Sequence, residues 1–179
     1  NYIIQIPNSS HFPQEAHRDF RLFIQETESN TQKKLTSFIR ETFSDSNFLI
    51  VDSQASYGNA LSYEREYENS SFLDNHQYWQ HPWFDKGFSW NRSHYSIKNT
   101  PMFSEFKNFG TFKSLKMLKP FGKPYTISEY NHPFPNDHLH EKFPMFGSWA
   151  AFHDWDAIYQ FSFDQGSIDK NFIDGYFSM

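Results

Sequence analysis

The sequence contains no cysteine in its 179 residues. That excludes disulfides, a thiol nucleophile and a thiolate metal site. It also lacks a long basic run: 16 Lys and Arg stand against 21 Asp and Glu, for a net charge of −5. This balance argues against nucleic-acid partners and against a polybasic membrane patch. No apolar stretch approaches the ~20 residues a membrane-spanning helix requires, and no signal-peptide pattern opens the chain. The first residue is Asn1 rather than methionine, and the chain is expected to be a processed or excised piece of something longer.

Aromatic residues are what the sequence has in abundance: 22 Phe, 10 Tyr and 5 Trp, or 21% of the chain. Phenylalanine on that scale implies core. The Trp and Tyr residues gather in segments that read as loops, where flat amphipathic rings beside polar groups suit the faces of sugars. Loops that pack over one another are the alternative.

Along the chain, residues 13–42 carry Phe20, Phe23, Ile24, Leu35, Phe38 and Ile39 at helical spacing. They predict an amphipathic helix with Glu26, Glu28, Lys33 and Lys34 on a solvated face. Phe48 to Val51 form a continuous apolar run that predicts a buried strand, and the polar residues from Asp52 to Tyr57, Gln54 among them, suit a binding site at its end. Further strands are predicted around "SFLDNHQYW", "KPYTISEY" and "AIYQFSF". A long aromatic loop spans residues 80–100, a short helix is expected within 101–118, and another from Glu141 to Trp155. Strands alternating with helices predict an α/β domain with parallel pairing. Four such strands correspond to half of a (β/α)8 barrel, which typically needs ~250 residues; a small open parallel sheet is the alternative.

Alternate side chains of a strand share a face. On "DNHQY" this groups Asp74, His76 and Tyr78, three polar residues that make poor core. On "YTISEY" it groups Tyr125, Ile127 and Glu129 and turns Ser128 the other way, with Glu129 last before the break into Asn-His-Pro. Such groups suit the mouth of a barrel, where strand ends gather catalytic residues. A salt-bridged edge residue and a satisfied core histidine are the structural alternatives for Glu129 and His76.

The segments "LDNHQYWQHPWF", "GKPYTISEYNHPFPND" and "AAFHDWDAIYQFSF" together resemble the C-terminal half of a clan A glycoside hydrolase, a (β/α)8 barrel of the cellulase-like or β-galactosidase-like kind. The resemblance runs from about Phe20 to Phe163. It implies strands five to eight at 47–52, 72–78, 124–130 and 157–163, with Glu129 as the nucleophile of a retaining hydrolase. His76, Tyr78 and Asn131 would hold that carboxylate, and Trp79, Trp83, His132 and Gln54 would meet the substrate, an oligo- or polysaccharide. A retaining mechanism pairs two carboxyl groups ~5–5.5 Å apart and passes through a glycosyl ester. It calls for no cofactor.

In that clan the acid/base glutamate follows an asparagine at the end of the fourth strand, and no Asn-Glu dipeptide occurs in this sequence. The second carboxylate is therefore expected upstream of Asn1, and the chain is expected to be nearly inactive alone. A half barrel leaves open strand edges, so it is expected to pair with the missing half or with a second copy of itself. Two rival readings come from other classes: a non-catalytic carbohydrate-binding module, and an interaction domain whose aromatic loops meet protein. Neighbouring histidines (His132, His138 and His140 near Glu141; His76 near His81) raise a metal site, without the spacing of a helical H-E-x-x-H motif.

Overall fold

In a computed structural model, residues 12–44, 47–52, 60–91, 93–104, 112 and 119–162 are described. Gln54 and most of the helix expected within 101–118 lie outside them. The chain divides into two compact units, residues 1–73 and residues 74–179.

The first unit is helical. Helix α1 (Gln14–Thr42) runs for 29 residues with neither Gly nor Pro to interrupt it, as the periodicity predicts. Glu15 in its first turn and Arg40 in its last complement the helix dipole. The stripe predicted to face a core does not: Phe23, Leu35 and Phe38 are exposed, and the buried residues of α1 are Ser29 and Gln32. A second helix, α2 (Ala60–Asn69), packs on α1 through a polar seam. Asn69 Nδ2 donates to Ser29 Oγ at 2.9 Å, and Gln32 Nε2 donates to Ser70 Oγ at 2.9 Å.

Residues 47–52, expected as the first strand, carry no strand pairing. Ser71 takes the backbone bonds of Ile50 instead, through its side chain and its own N–H. Ile50 N–H donates to Ser71 Oγ at 3.0 Å, and Ser71 N–H returns to the Ile50 carbonyl at 2.7 Å. The apolar run is thus a segment laid against the helices, not a member of a sheet.

The second unit is built on a three-stranded open sheet in the order β1 (Leu73–Tyr78), β4 (Tyr125–Asn131), β5 (Ala157–Gln160), with β4 and β5 parallel. The α/β class and the open parallel sheet both match the sequence pattern. Helix α3 (Lys142–Phe152) connects β4 to β5, a strand–helix–strand crossover of the kind parallel neighbours require. Phe146 and Ala150 of α3 are buried, whereas Ala151 is exposed. The core is aromatic: Tyr130 stacks on Phe146 at 3.7 Å, and Trp155 meets both Phe146 and Tyr125 edge-on at 5.5 Å. Between β1 and β4, the aromatic loop contains a two-residue antiparallel pair, β2 (Trp83–Phe84) with β3 (Tyr95–Ser96). Asn99 and Asp137 pin this loop to the one after β4: Asn99 Nδ2 donates to Asp137 Oδ2 at 2.8 Å, and Asp137 N–H donates to Asn99 Oδ1 at 2.9 Å. No helix among the described residues is long and apolar enough to cross a membrane.

Candidate active site

The site is built on two neighbouring strands. Asp74, His76 and Tyr78 alternate along β1 and share a face, as their spacing predicts. Asn75 points the other way, into the core, where its Nδ2 donates to Tyr125 Oη at 2.9 Å.

The facing strand departs from simple alternation. Thr126 and Ser128 both donate to the Asp74 carboxylate, Thr126 Oγ1 to Oδ1 at 2.5 Å and Ser128 Oγ to Oδ2. They therefore lie on the polar face of the sheet. Glu129, the next residue, reaches the same face, since its Oε2 is met by Tyr78 Oη at 2.5 Å and His76 Nδ1 at 3.2 Å. Two successive residues share a face only where the pleat is broken. The break is a bulge: Ile127 pairs with Ile158 and Tyr130 with Gln160, leaving one residue more on β4 than on β5 between those pairs. Bulges re-aim side chains in this way. The grouping of Glu129 with Tyr125 and Ile127, and the opposite placement of Ser128, are corrected accordingly. Tyr130, past the bulge, returns to the core against Phe146.

The electrostatics follow from the bonds. Burial raises the Tyr78 phenol above its ordinary pKa of 10.0, and the bond to Glu129 and its charge push the same way. The phenol thus stays protonated and donates. Nδ1 is the His76 ring nitrogen that faces Glu129. His76 Nε2 stands 3.8 Å from Asp74 Oδ2, with Asp74 itself held by the two hydroxyls of β4. The result is a line of polar groups from Ser128 and Thr126 through Asp74 and His76 to Glu129 and Tyr78.

The other residues expected at the site are placed differently. Asn131 is buried; its Nδ2 donates to the Phe161 carbonyl at 2.9 Å and its Oδ1 accepts from Lys142 Nζ at 3.2 Å. It ties the end of β4 to α3 and to the segment after β5. His132 is fully buried against Tyr130 Oη at 3.0 Å. Burial, with the charges of Lys142 and His138 adding to it, pushes its pKa down to about 3, so it is a neutral core histidine and does not face a substrate. Trp79 is also buried, its Nε1 donating to the Thr100 carbonyl at 2.9 Å. Trp83, by contrast, lies open, 58% exposed.

An aromatic group that the spacing did not single out adjoins Tyr78. His81 meets Tyr78 at 5.4 Å and Trp90 at 5.9 Å, and Trp90 packs on Phe84 at 5.2 Å. Trp90 adopts φ 63°, a left-handed conformation that is costly for a bulky side chain. A signal for this group existed in the density of aromatics between residues 78 and 95, but nothing in their spacing ordered them. Among the described residues, no three His, Asp or Glu side chains are placed to share a metal ion. The chain matches no protein-family model, no curated protein and no solved structure.

Proposed function

We propose that the second unit carries the nucleophile of a retaining glycoside hydrolase acting on β-linked sugars, and that Glu129 is that nucleophile. The observation that carries this reading is the convergence on one oxygen of Glu129, Oε2, of the Tyr78 Oη donor and, 3.2 Å away, His76 Nδ1. Donors held by neighbouring secondary structure fix a carboxylate in place before substrate arrives, which is the preorganisation a nucleophile requires. In the reaction, a Glu129 oxygen attacks the anomeric carbon and the bond to the leaving oxygen breaks, giving a glycosyl ester. Water then attacks the anomeric carbon, releasing the sugar and restoring the carboxylate.

The order β1-β4-β5, with a helix crossing between parallel β4 and β5, supports the reading of these strands as the sixth to eighth of a (β/α)8 barrel. Trp83 and Trp90 are exposed, and Trp90 adjoins Tyr78 through His81, so both offer faces on which a sugar ring stacks.

The acid half of the mechanism can be bypassed experimentally, because a dinitrophenolate leaving group departs without protonation. The chain is expected to release dinitrophenol from activated aryl β-glycosides, and Glu129→Gln is expected to abolish that release. Sugar binding that survives Glu129→Gln, with no release by either protein, would favour a carbohydrate-binding module using the same tryptophans.

A further inference from the structure

The first unit contains a groove of about 380 Å3 lined by α1, residues 50–52 and α2. Its walls differ from end to end. Leu35 and Ile39 of α1 face Ile50 and Val51 at the apolar end, while Glu28, Gln32, Asp52 and Arg65 form the polar end. The volume falls within the ~300–1,000 Å3 of small-molecule sites.

The polar end carries more negative than positive charge. Arg65 is 6% exposed and is shared among three carboxylates: Nη1 bonds Glu28, Nη2 bonds Glu66 Oε1 at 3.2 Å, and Nη2 lies 3.7 Å from Asp52 Oδ2. Glu66 is fully buried and accepts from Ser70 Oγ at 2.7 Å; burial raises its pKa above the ordinary 4.5. Even with Glu66 protonated, Glu28 and Asp52 outnumber the one guanidinium. Both are about half exposed, at the open side of the cluster.

A second observation points to the same missing partner. Gln32 lines the groove, is 8% exposed, and its Oε1 accepts no hydrogen bond. The orientation of its amide is fixed by its neighbours. With Glu66 ionised, the Ser70 hydroxyl proton is committed to it, so Ser70 Oγ and Glu66 Oε1 are both acceptors for Gln32 Nε2, at 2.9 and 3.5 Å. Oε1 is therefore the atom left over. An unsatisfied buried acceptor costs free energy that a donor recovers.

Excess carboxylate, a spare carbonyl oxygen and an apolar trough call for one kind of occupant. We propose that this groove binds a small primary ammonium carried on a short hydrocarbon chain, its charge beside Glu28 and Asp52 and its chain along Leu35, Ile39 and Ile50. The proposal is independent of the glycosidase reading, since every residue it uses lies in the first unit.

The test is titration of the full chain with n-hexylammonium, followed by amide and side-chain NMR shifts. Saturable shifts at Gln32, Thr31 and Ile50 are expected, with a dissociation constant on the order of 1 mM, as ligand efficiency allows. Asp52→Asn, at a half-exposed position, and Glu28→Gln are each expected to weaken binding about 5-fold at low salt, the unperturbed remainder of the spectrum showing that each variant is folded. Hexanol binding as tightly as hexylammonium would overturn the proposal by showing a purely apolar groove. Preferential binding of hexanoate would overturn it by assigning the site to Arg65, and so would the absence of saturable shifts.

Discussion

Phe146 and Phe38 are the same residue type in helices of the two units, and they are used in opposite ways. Phe146 is 1% exposed, stacked on Tyr130 and met edge-on by Trp155; Phe38 is 64% exposed on α1. In the second unit, apolar rings fill the interior and the polar groups are drawn out along one sheet face. In the first, the helices meet through Ser29, Gln32, Arg65, Glu66 and Ser70, and Phe23, Leu35 and Phe38 of α1 stay exposed. Hydrophobic burial therefore dominates one unit, and hydrogen bonding with ion pairing carries the helix contact in the other. Each interaction type has its own signature on mutation and with pH.

The largest effect expected is that of Phe146→Ala. Removing a buried phenylalanine costs ~3–5 kcal/mol, and thermal or denaturant unfolding should show the second unit losing that amount. Next is Tyr78→Phe, which removes the phenolic donor to Glu129 without changing the shape of the ring. Hydrogen bonds to charged groups contribute ~1.5–3 kcal/mol, so release of dinitrophenol should fall about 10- to 100-fold while unfolding of the unit moves little.

A smaller effect is expected in the first unit, at Glu66. Its carboxyl is more readily protonated when folded than when unfolded, because burial disfavours its charge. That contribution to stability is fully present below the ordinary pKa of 4.5 and is lost as pH rises through the raised folded value. Denaturant midpoints measured on either side of this window should fall with rising pH, and Glu66→Gln should flatten the slope. The smallest effect belongs to Phe38→Ala. An exposed ring on a helix is worth within about 0.5 kcal/mol, and alanine favours the helix. A loss comparable to that of Phe146→Ala would break the comparison, showing that something covers α1.

How far the sequence was legible follows from which forces are local. Helix α1 was readable from its uninterrupted periodicity, α3 from its apolar spacing, and β1, β4 and β5 from strand-forming runs bounded by turn residues. The shared face of Asp74, His76 and Tyr78 was readable because alternation along one strand needs no partner. The bulge that turns Glu129 onto that face was not, because it exists only in the register of β4 against β5. Helix α2 was hidden by its shortness, ten residues of "ALSYEREYEN", and it packs on α1 through polar contacts. The apolar run at 48–51 satisfied the pattern of a buried strand, yet Ser71, 21 residues past Ile50, supplies the hydrogen bond that a ladder would have made. The family resemblance made Trp79 and His132 subsite residues, and burial places them in the core.

The central claim is that Glu129 is a preorganised nucleophile, and covalent trapping tests it most directly. The chain would be incubated with dinitrophenyl 2-deoxy-2-fluoro-β-glycosides of glucose, galactose, mannose and xylose, then analysed by intact mass and peptide mapping. The account predicts a single fluoroglycosyl adduct on the peptide containing Glu129, absent from Glu129→Gln and slowed in Tyr78→Phe. An adduct on another carboxylate, one that persists in Glu129→Gln, or none with any of the four sugars would contradict it.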